Sequence, residues 1–491
     1  MKVLFYSTYH FNTEVFGPYL ENIQKHINQG DEVYFINCNA DIKSCQINPK
    51  HNFIHCMACI NFRKNGLACI NGKINYISLK DELQKLHFDK KKIQTNFTTI
   101  PDLKSYKIEN FDIGTAVLSS IVSIYRTPTP SMQSNKELIN AQILASAQVY
   151  FAIEQIILEK KIDIVYVFNA RFATLRACLR ACQKHKINCN VLEEGHNRAH
   201  YSIFKNTLPH SIEYYENEIQ QKWENGNSEK INIANEYYKN RSESKNERVG
   251  IFTKDQSKGK LPINWNFSKK NIVLFNSSED EFVSIGDEWN NPIYESQSEA
   301  IRKICESLLP YTQFEVFVRI HPNLIGILNE SISAILKLRF KNLTIIAPDD
   351  DISTYELMRK ANKVVTFGSS TGIEATALGI PSILAGMAFY RNLGSTYNPK
   401  NHDELIEMVL NENLMPADKI GALKYAYFLH DFGIPYTFFK RINTFKASLN
   451  NTVFSSNIFL YWIRQIGRKI RLKKEAKIKS ENIQKAHQLL Q

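Results

Sequence analysis

Apolar runs of strand length alternate with stretches of helical spacing, twice along the chain, and this alternation restricts the fold more than anything else in the sequence. Residues 2–7 are apolar, residues 14–28 carry helical spacing through Val15, Tyr19, Ile23, His26 and Ile27, Gly30 ends the helix, and 32–36 is a second apolar run. After a long helical stretch over 137–160 come strand 162–167, helix 171–185 and strand 188–192. A second series has strands at 271–275, 314–318, 343–346, 363–367 and 382–384, with helical patterns at 296–309, 331–338, 353–360 and 372–378. Asp350 and Ser353 suit helix N-caps, and Gly379-Ile380-Pro381 is a stop. Strands alternating with helices predict parallel sheets covered by helices.

The expected fold class is therefore α/β, with two Rossmann-like domains facing a central cleft, a Cys-rich insert and a basic C-terminal helix. A chain of 491 residues is too long for one core. The boundaries expected are a first domain over 1–245 with the insert at 38–69, a polar linker over 246–270, a second domain over 271–450, and a basic amphipathic tail over 451–491. Hydrophobic residues make up 43%, enough to bury real cores. No unbroken apolar stretch reaches the roughly 18 residues of a membrane span. The opening MKVLFYSTYHF is too short for a signal-peptide core, and a cytoplasmic chain is expected.

The formal charge of +12 invites a nucleic-acid reading, but more than half of it sits in one place. Arg464, Arg468, Lys469, Arg471, Lys473, Lys474, Lys477 and Lys479 face a single acid, Glu475. With no recognisable nucleic-acid motif, nucleic acid is not expected as a partner. Around 459–470 the apolar residues Phe459, Leu460, Trp462, Ile463, Ile466 and Ile470 share a helical face that turns basic. That pattern fits either an interfacial helix on the anionic inner face of the cell membrane or a solvated helix covering the first domain.

Ligands of open parallel sheets bind beyond the carboxyl ends of the strands. There the sequence places Asn169 and Arg171, then Glu193-Glu194-Gly195-His196-Asn197-Arg198, Asn276-Ser277-Ser278, Arg319-Ile320-His321-Pro322-Asn323, and Gly368-Ser369-Ser370-Thr371-Gly372-Ile373-Glu374. In the last cluster a strand passes through glycine and hydroxyl residues into a helix. Such a turn offers N–H groups and hydroxyls to a phosphate without a metal, and Glu374 could accept from a ribose. His321 stands where a departing phosphate would be neutralised. One carboxylate of the Glu193–Glu194 pair can take a proton from an acceptor hydroxyl. Neither a Walker lysine nor a GxGxxG is present, which argues against ATPases and dehydrogenases.

The set Glu193-Glu194-Gly195, His321-Pro322 and Ser369-Ser370-Thr371 resembles the short motifs of bacterial sialyltransferases and polysialyltransferases. The run TFGSSTGIEATALGIPSILAG, with RIHPN before it, is similar to bacterial capsule and surface-polysaccharide biosynthesis proteins, including Kdo transferases. The resemblance implies the two-domain GT-B architecture and an inverting glycosyltransferase that needs no metal for catalysis. It implies a nucleotide-sugar donor, CMP-activated in the sialyltransferase case, and a glycan or glycolipid acceptor. Glu193 or Glu194 would be the base and His321 the donor-phosphate contact. Ser277, Ser278, Arg319, Pro322, Asn323, Gly368, Ser369, Ser370, Thr371 and Glu374 would form the donor side, and Asn169, Arg171, His196 and Arg198 the acceptor side. Glu-Glu stands where the sialyltransferase motif often has Asp. Two other readings remain open: a CDP-polyol phosphotransferase of wall-polymer synthesis, and a non-catalytic capsule assembly or export factor.

Of nine cysteines, Cys38, Cys45, Cys56, Cys59 and Cys69 crowd together. Cys45, Cys56, Cys59 and Cys69 contain one C-x2-C pair, the usual half of a structural zinc site. Reduced, unliganded thiols are the alternative.

Overall fold

The computed structural model describes residues 1–86, 89–243, 253–457 and 477–490. The chain divides into two compact units. The first holds 1–125, 129–210 and, among the described residues, 432–457; the second holds 126–128, 211–431 and 477–490.

In the first unit the strands are β1 (Lys2–Tyr6), β2 (Glu32–Asn37), β3 (Asn75–Ser78), β4 (Ile164–Phe168), β5 (Asn188–Glu194) and β6 (His200–Lys205). The parallel order is β5-β4-β1-β2-β3, and β6 runs antiparallel beside β5. β1 sits at the centre with Val3, Leu4, Phe5 and Tyr6 wholly buried, which is why its sequence is continuously apolar rather than alternating. Helix Thr13–Asn28 begins where the Asn12 side chain accepts the Val15 N–H at 3.0 Å. Its return at Gly30 needs φ +78°, a conformation that glycine adopts cheaply. Helix Lys136–Lys160 has the length and apolarity of a membrane span, but most of that stretch is buried in this unit.

The second unit holds β7 (Lys270–Phe275), β8 (Phe314–Arg319), β9 (Leu343–Ile346), β10 (Lys363–Thr366) and β11 (Ser382–Leu384). Their order is β11-β10-β7-β8-β9, parallel throughout. Helices Gln297–Leu308, Glu330–Leu336, Thr354–Lys360 and Thr371–Ala377 fall within a residue or two of the expected positions.

The expected boundaries need correction at both ends. Helices Ile212–Glu224 and Lys230–Ser242 belong to the second unit, not the first. Of the expected linker, 253–270 is packed into the second unit. Ser257 N–H donates to the Asp351 carbonyl at 2.7 Å, and Trp265 is buried against Phe317. Beyond 431 the chain returns to the first unit as β12 (Ile434–Pro435), β13 (Phe439–Asn443), β14 (Lys446–Leu449) and β15 (Thr452–Ser455). β12 pairs with β6 to complete a seven-stranded sheet, and the last three form a sheet of their own. The cause of the return is a buried carboxylate: Glu21 accepts the N–H groups of Thr437, Phe438 and Phe439 at 2.9, 2.9 and 3.0 Å. Gly17 lets Phe439 lie flat on the same helix; a Cβ there would stand 2.4 Å from the ring. The expected tail over 451–491 is thus no single element. Its start is β15, and residues 477–490 are helical and pack on the second unit through Ala486, Leu489 and Leu490. The amphipathic run at 459–470 lies outside the described residues.

The expected four-cysteine metal set does not assemble. Cys56 and Cys59 lie on helix Phe53–Leu67, and Cys69 comes just after its end. A rise of about 1.5 Å per residue carries Cys69 roughly 15 Å from Cys59. Each thiol has a local partner: Cys59 Sγ accepts the His10 N–H at 3.1 Å, Cys56 Sγ accepts from Asn48 Nδ2 at 3.2 Å, and Cys69 Sγ donates to the Asn65 carbonyl at 3.4 Å. Burial, then neighbouring thiols, push Cys45 well up, so it stays protonated. Among the described residues no three His, Cys, Asp or Glu converge on one point.

Candidate active site

In the second unit the ends of β7, β8 and β10 meet helix Lys230–Ser242 around a pocket of about 620 Å³ counted out to solvent. Asn276, Arg319, His321, Pro322, Ser369, Ser370, Thr371 and Glu374 line it, as the sequence led one to expect, together with Arg241, Thr253 and Tyr355.

His321 is held from three sides. Its N–H donates to Asn276 Oδ1 at 2.7 Å, and Pro322 fixes the adjoining turn. Its Nδ1 lies 2.7 Å from Asn323 Oδ1. The amide of Asn323 is oriented by Ser278 Oγ donating to Oδ1 at 3.0 Å and by Nδ2 donating to Glu281. The same Nδ1 accepts the Asn323 backbone N–H at 3.2 Å, so the ring caps its own turn. Burial lowers His321 to about 4, with Arg319, Arg241 and Arg126 adding to it against the Asn323 bond. His321 is thus neutral near pH 7 in this site.

The cation is Arg241, which sequence inspection missed. Its Nε donates to Glu374 Oε1 at 2.7 Å and its Nη2 to Ser370 Oγ at 3.0 Å. Glu374 also accepts from Tyr355 at 2.6 Å and Ser370 at 2.8 Å. Burial pushes the Glu374 carboxyl up, but Arg241 and these bonds outweigh it and hold it below its usual range. Glu374 is therefore spent on orienting Arg241, not left to meet a ribose. Nothing in the local pattern marks Arg241: it ends a polar helix like many other surface arginines.

The hydroxyl turn differs from its expected form. Ser369 N–H donates to Thr366 Oγ1, Thr371 N–H to Ser369 Oγ and Gly372 N–H to the Ser369 carbonyl, so three of the turn's N–H groups are used within it. The helix it leads into, Thr371–Ala377, has seven residues, too short for a strong dipole to replace a cation. Thr371 Oγ1 is buried with no partner among the described residues. Gly368 has φ +142°, and a Cβ there would meet the Met387 carbonyl at 2.6 Å. Three expected donor-side residues also hold the local structure in place. Arg319 lines the pocket while its Nη2 donates to the Asp350 carbonyl at 2.9 Å, Ser277 is bound to Gln297 by two bonds, and Asn323 orients His321.

The first unit sorts the acidic pair. β5 runs through Glu194, so both glutamates sit on a strand end and their side chains diverge. Glu193 Oε2 accepts from Asn169 Nδ2 at 2.6 Å, and Asn169 reaches it from a left-handed turn with φ +60°. Burial raises Glu193 to about 7 despite that bond. Glu194 pairs with Arg441 of β13 at 3.1 Å, and the same guanidinium grips Glu14. The other acceptor-side expectations fare unequally. Arg171 is buried and donates to Ser119 Oγ at 2.7 Å, and His196 Nδ1 bonds the Phe432 carbonyl at 2.7 Å, so both build the scaffold. Arg198 is exposed and acts on Glu194 only through its charge.

Residues 210–433, a little under half of the chain, match the family described as capsule polysaccharide biosynthesis protein. The matched span coincides with the body of the second unit, 211–431. No curated protein matches. Among solved structures the chain is similar to the beta Kdo 2,4 transferase KpsC of Thermosulfurimonas dismutans, at 16% identity and TM-score 0.37, covering 54% of this chain and 79% of that one. The beta Kdo 2,7 transferase KpsC of the same organism aligns at 13% identity and TM-score 0.34, covering 65% and 89%. UDP-GlcNAc 2-epimerase of Neisseria meningitidis aligns at 14% identity and TM-score 0.30, covering 87% and 97%.

Proposed function

We propose that this chain is a glycosyltransferase of bacterial capsule synthesis, moving a sugar with inversion from a nucleotide donor, a CMP-activated acidic sugar foremost, onto a glycan or glycolipid acceptor. The observation that carries the reading is the coincidence of the capsule-family span with the unit whose strand ends form the Arg241–His321–Thr371 pocket. Arg241 balances the donor phosphate, His321 donates or accepts a hydrogen bond to it as a neutral imidazole, and the Thr371 hydroxyl supplies a buried donor. Glu193, poised near 7, takes the proton as the acceptor oxygen attacks the anomeric carbon. The bond from that carbon to the phosphate oxygen breaks, and the nucleotide leaves with the electron pair. Glu194 is also raised, by burial and by Glu14, but it is tied into an ion pair with Arg441, which makes it the less fit base. No step calls on a metal. A nucleotide donor made in the cytoplasm places the reaction there, on the inner face of the membrane if the acceptor is a glycolipid.

The test is incubation of the full chain with CMP-, UDP- and CDP-linked donors and capsule acceptors, following nucleotide release. Sugar transfer with release of CMP or UDP, abolished by Glu193→Gln, is expected. Transfer of a polyol phosphate from CDP-glycerol would replace this reading by the phosphotransferase. Unchanged capsule synthesis in cells carrying both Glu193→Gln and Arg241→Ala would replace it by the assembly factor.

A further inference from the structure

Helix Phe53–Leu67 is apolar on both faces. Ala58, Phe62 and Gly66 face the core, one turn apart, while Phe53, Met57 and Ile60 share the opposite side with Lys64. Phe53 is 70% exposed, Ile54 46% and Met57 37%, and Tyr76 beside the same groove is 55% exposed. A core helix has no need of a phenylalanine in water, and clustered exposure of this kind marks an interaction surface.

The charges around it say which kind. From 42 to 80 the sequence carries Lys43, Lys50, Arg63, Lys64, Lys73 and Lys80 and not one Asp or Glu. Lys43, Lys50, Lys64 and Lys73 are exposed. The chain also leaves β15 along this helix, with Asn65 Nδ2 donating to the Ser455 carbonyl at 2.7 Å and Asn457 N–H to Asn61 Oδ1 at 2.5 Å. Next in sequence comes the basic, apolar stretch that begins at Phe459. A second copy of this chain would set lysine against lysine at such a surface, and so would that stretch folding back onto it. A partner both apolar and anionic satisfies the whole patch.

We infer that the outward face of helix Phe53–Leu67, carrying Phe53, Ile54, Met57 and Lys64 and preceded in the chain by the exposed Lys43 and Lys50, docks the protein on an anionic lipid membrane. The apolar side chains enter the headgroup layer while the lysines meet lipid phosphates, the arrangement by which interfacial helices bind. This inference stands independently of the reaction proposed above.

Sedimentation of the full chain with phosphatidylglycerol–phosphatidylcholine vesicles, and with phosphatidylcholine alone, tests it. The protein should bind the anionic vesicles. Phe53→Ser with Met57→Ser, and separately Lys43→Glu with Lys50→Glu, should each weaken binding about tenfold or more with the melting temperature unchanged. These side chains are exposed, so neither pair threatens the fold. Failure of the natural protein to bind would overturn the inference. So would wild-type binding by the Phe53/Met57 variant, or loss by that variant of a dimer seen without vesicles.

Discussion

At the residue scale the two glutamates of one dipeptide have been given opposite tasks by their neighbours. Glu193 faces an amide and rises to about 7, while Glu194 faces a guanidinium. A base must be deprotonated to work, so the rate should climb with pH through about 7 and then level. Glu193→Gln should lower kcat by about a thousandfold and erase that limb, whereas Glu194→Gln should keep it. The Asn169 amide favours the charged form of Glu193. Asn169→Ala should therefore move the limb to higher pH, and a pH–rate profile unchanged from the natural protein would refute the pairing. In the other unit, Arg241→Ala should raise the donor KM and leave Glu374 buried without its cation, costing about 3 kcal/mol in urea unfolding. The pH dependence separates the two forms. Natural Glu374, held low, lends stability above the usual carboxylate range that is lost on acidification through its own lower value. In the variant burial is opposed only by the Tyr355 and Ser370 bonds, so the carboxyl rises and less stability should be lost on acidification than in the natural protein. The sequence displayed Glu193, His321 and the hydroxyl turn because short motifs sit at strand ends. It hid Arg241 because a side chain arriving from another helix leaves no local pattern.

At the element scale the buried strands were legible and the late small sheet was not. β1, β7 and β8 are largely buried, so apolar residues dominate their sequences, and the expected positions of β9 and β11 match to the residue. β13, β14 and β15 read as polar because one face is open, with Lys440, Ile442, Lys446 and Val453 exposed. Their place is set by tertiary pairing, by Glu21 receiving three backbone N–H groups and Gly17 admitting Phe439, neither of which shows in the strands themselves. Gly17→Val should press on a ring that is already buried and cost about 2 kcal/mol. A urea midpoint at or above that of the natural protein would show that the ring has room to move.

For the whole molecule, contiguous domains were the natural expectation, because sequence reading follows the chain while contacts do not. Each unit is instead closed by residues that come after the second sheet is complete: 432–457 for the first and 477–490 for the second. A chain ending at Asp431 should therefore lose more than its terminus. The first unit would lack β12 and the N–H groups that satisfy Glu21, and a buried carboxylate stripped of its donors is costly. Its melting transition should fall or broaden in calorimetry, and an unaltered transition would show that the returning strands are ornament.

The returning strands also bear on how the protein is made. Chains commonly fold from the N-terminus while still being synthesised, each domain finishing before the next emerges. Here the first half waits, its central sheet without an edge strand and the Gly17 face of its first helix bare, until the last part of the message has been read. A nascent chain in that state shows apolar surface for the whole time the second sheet is being translated. Chaperone dependence during synthesis, and poor recovery from truncated or prematurely terminated messages, are consequences of the route of the backbone alone.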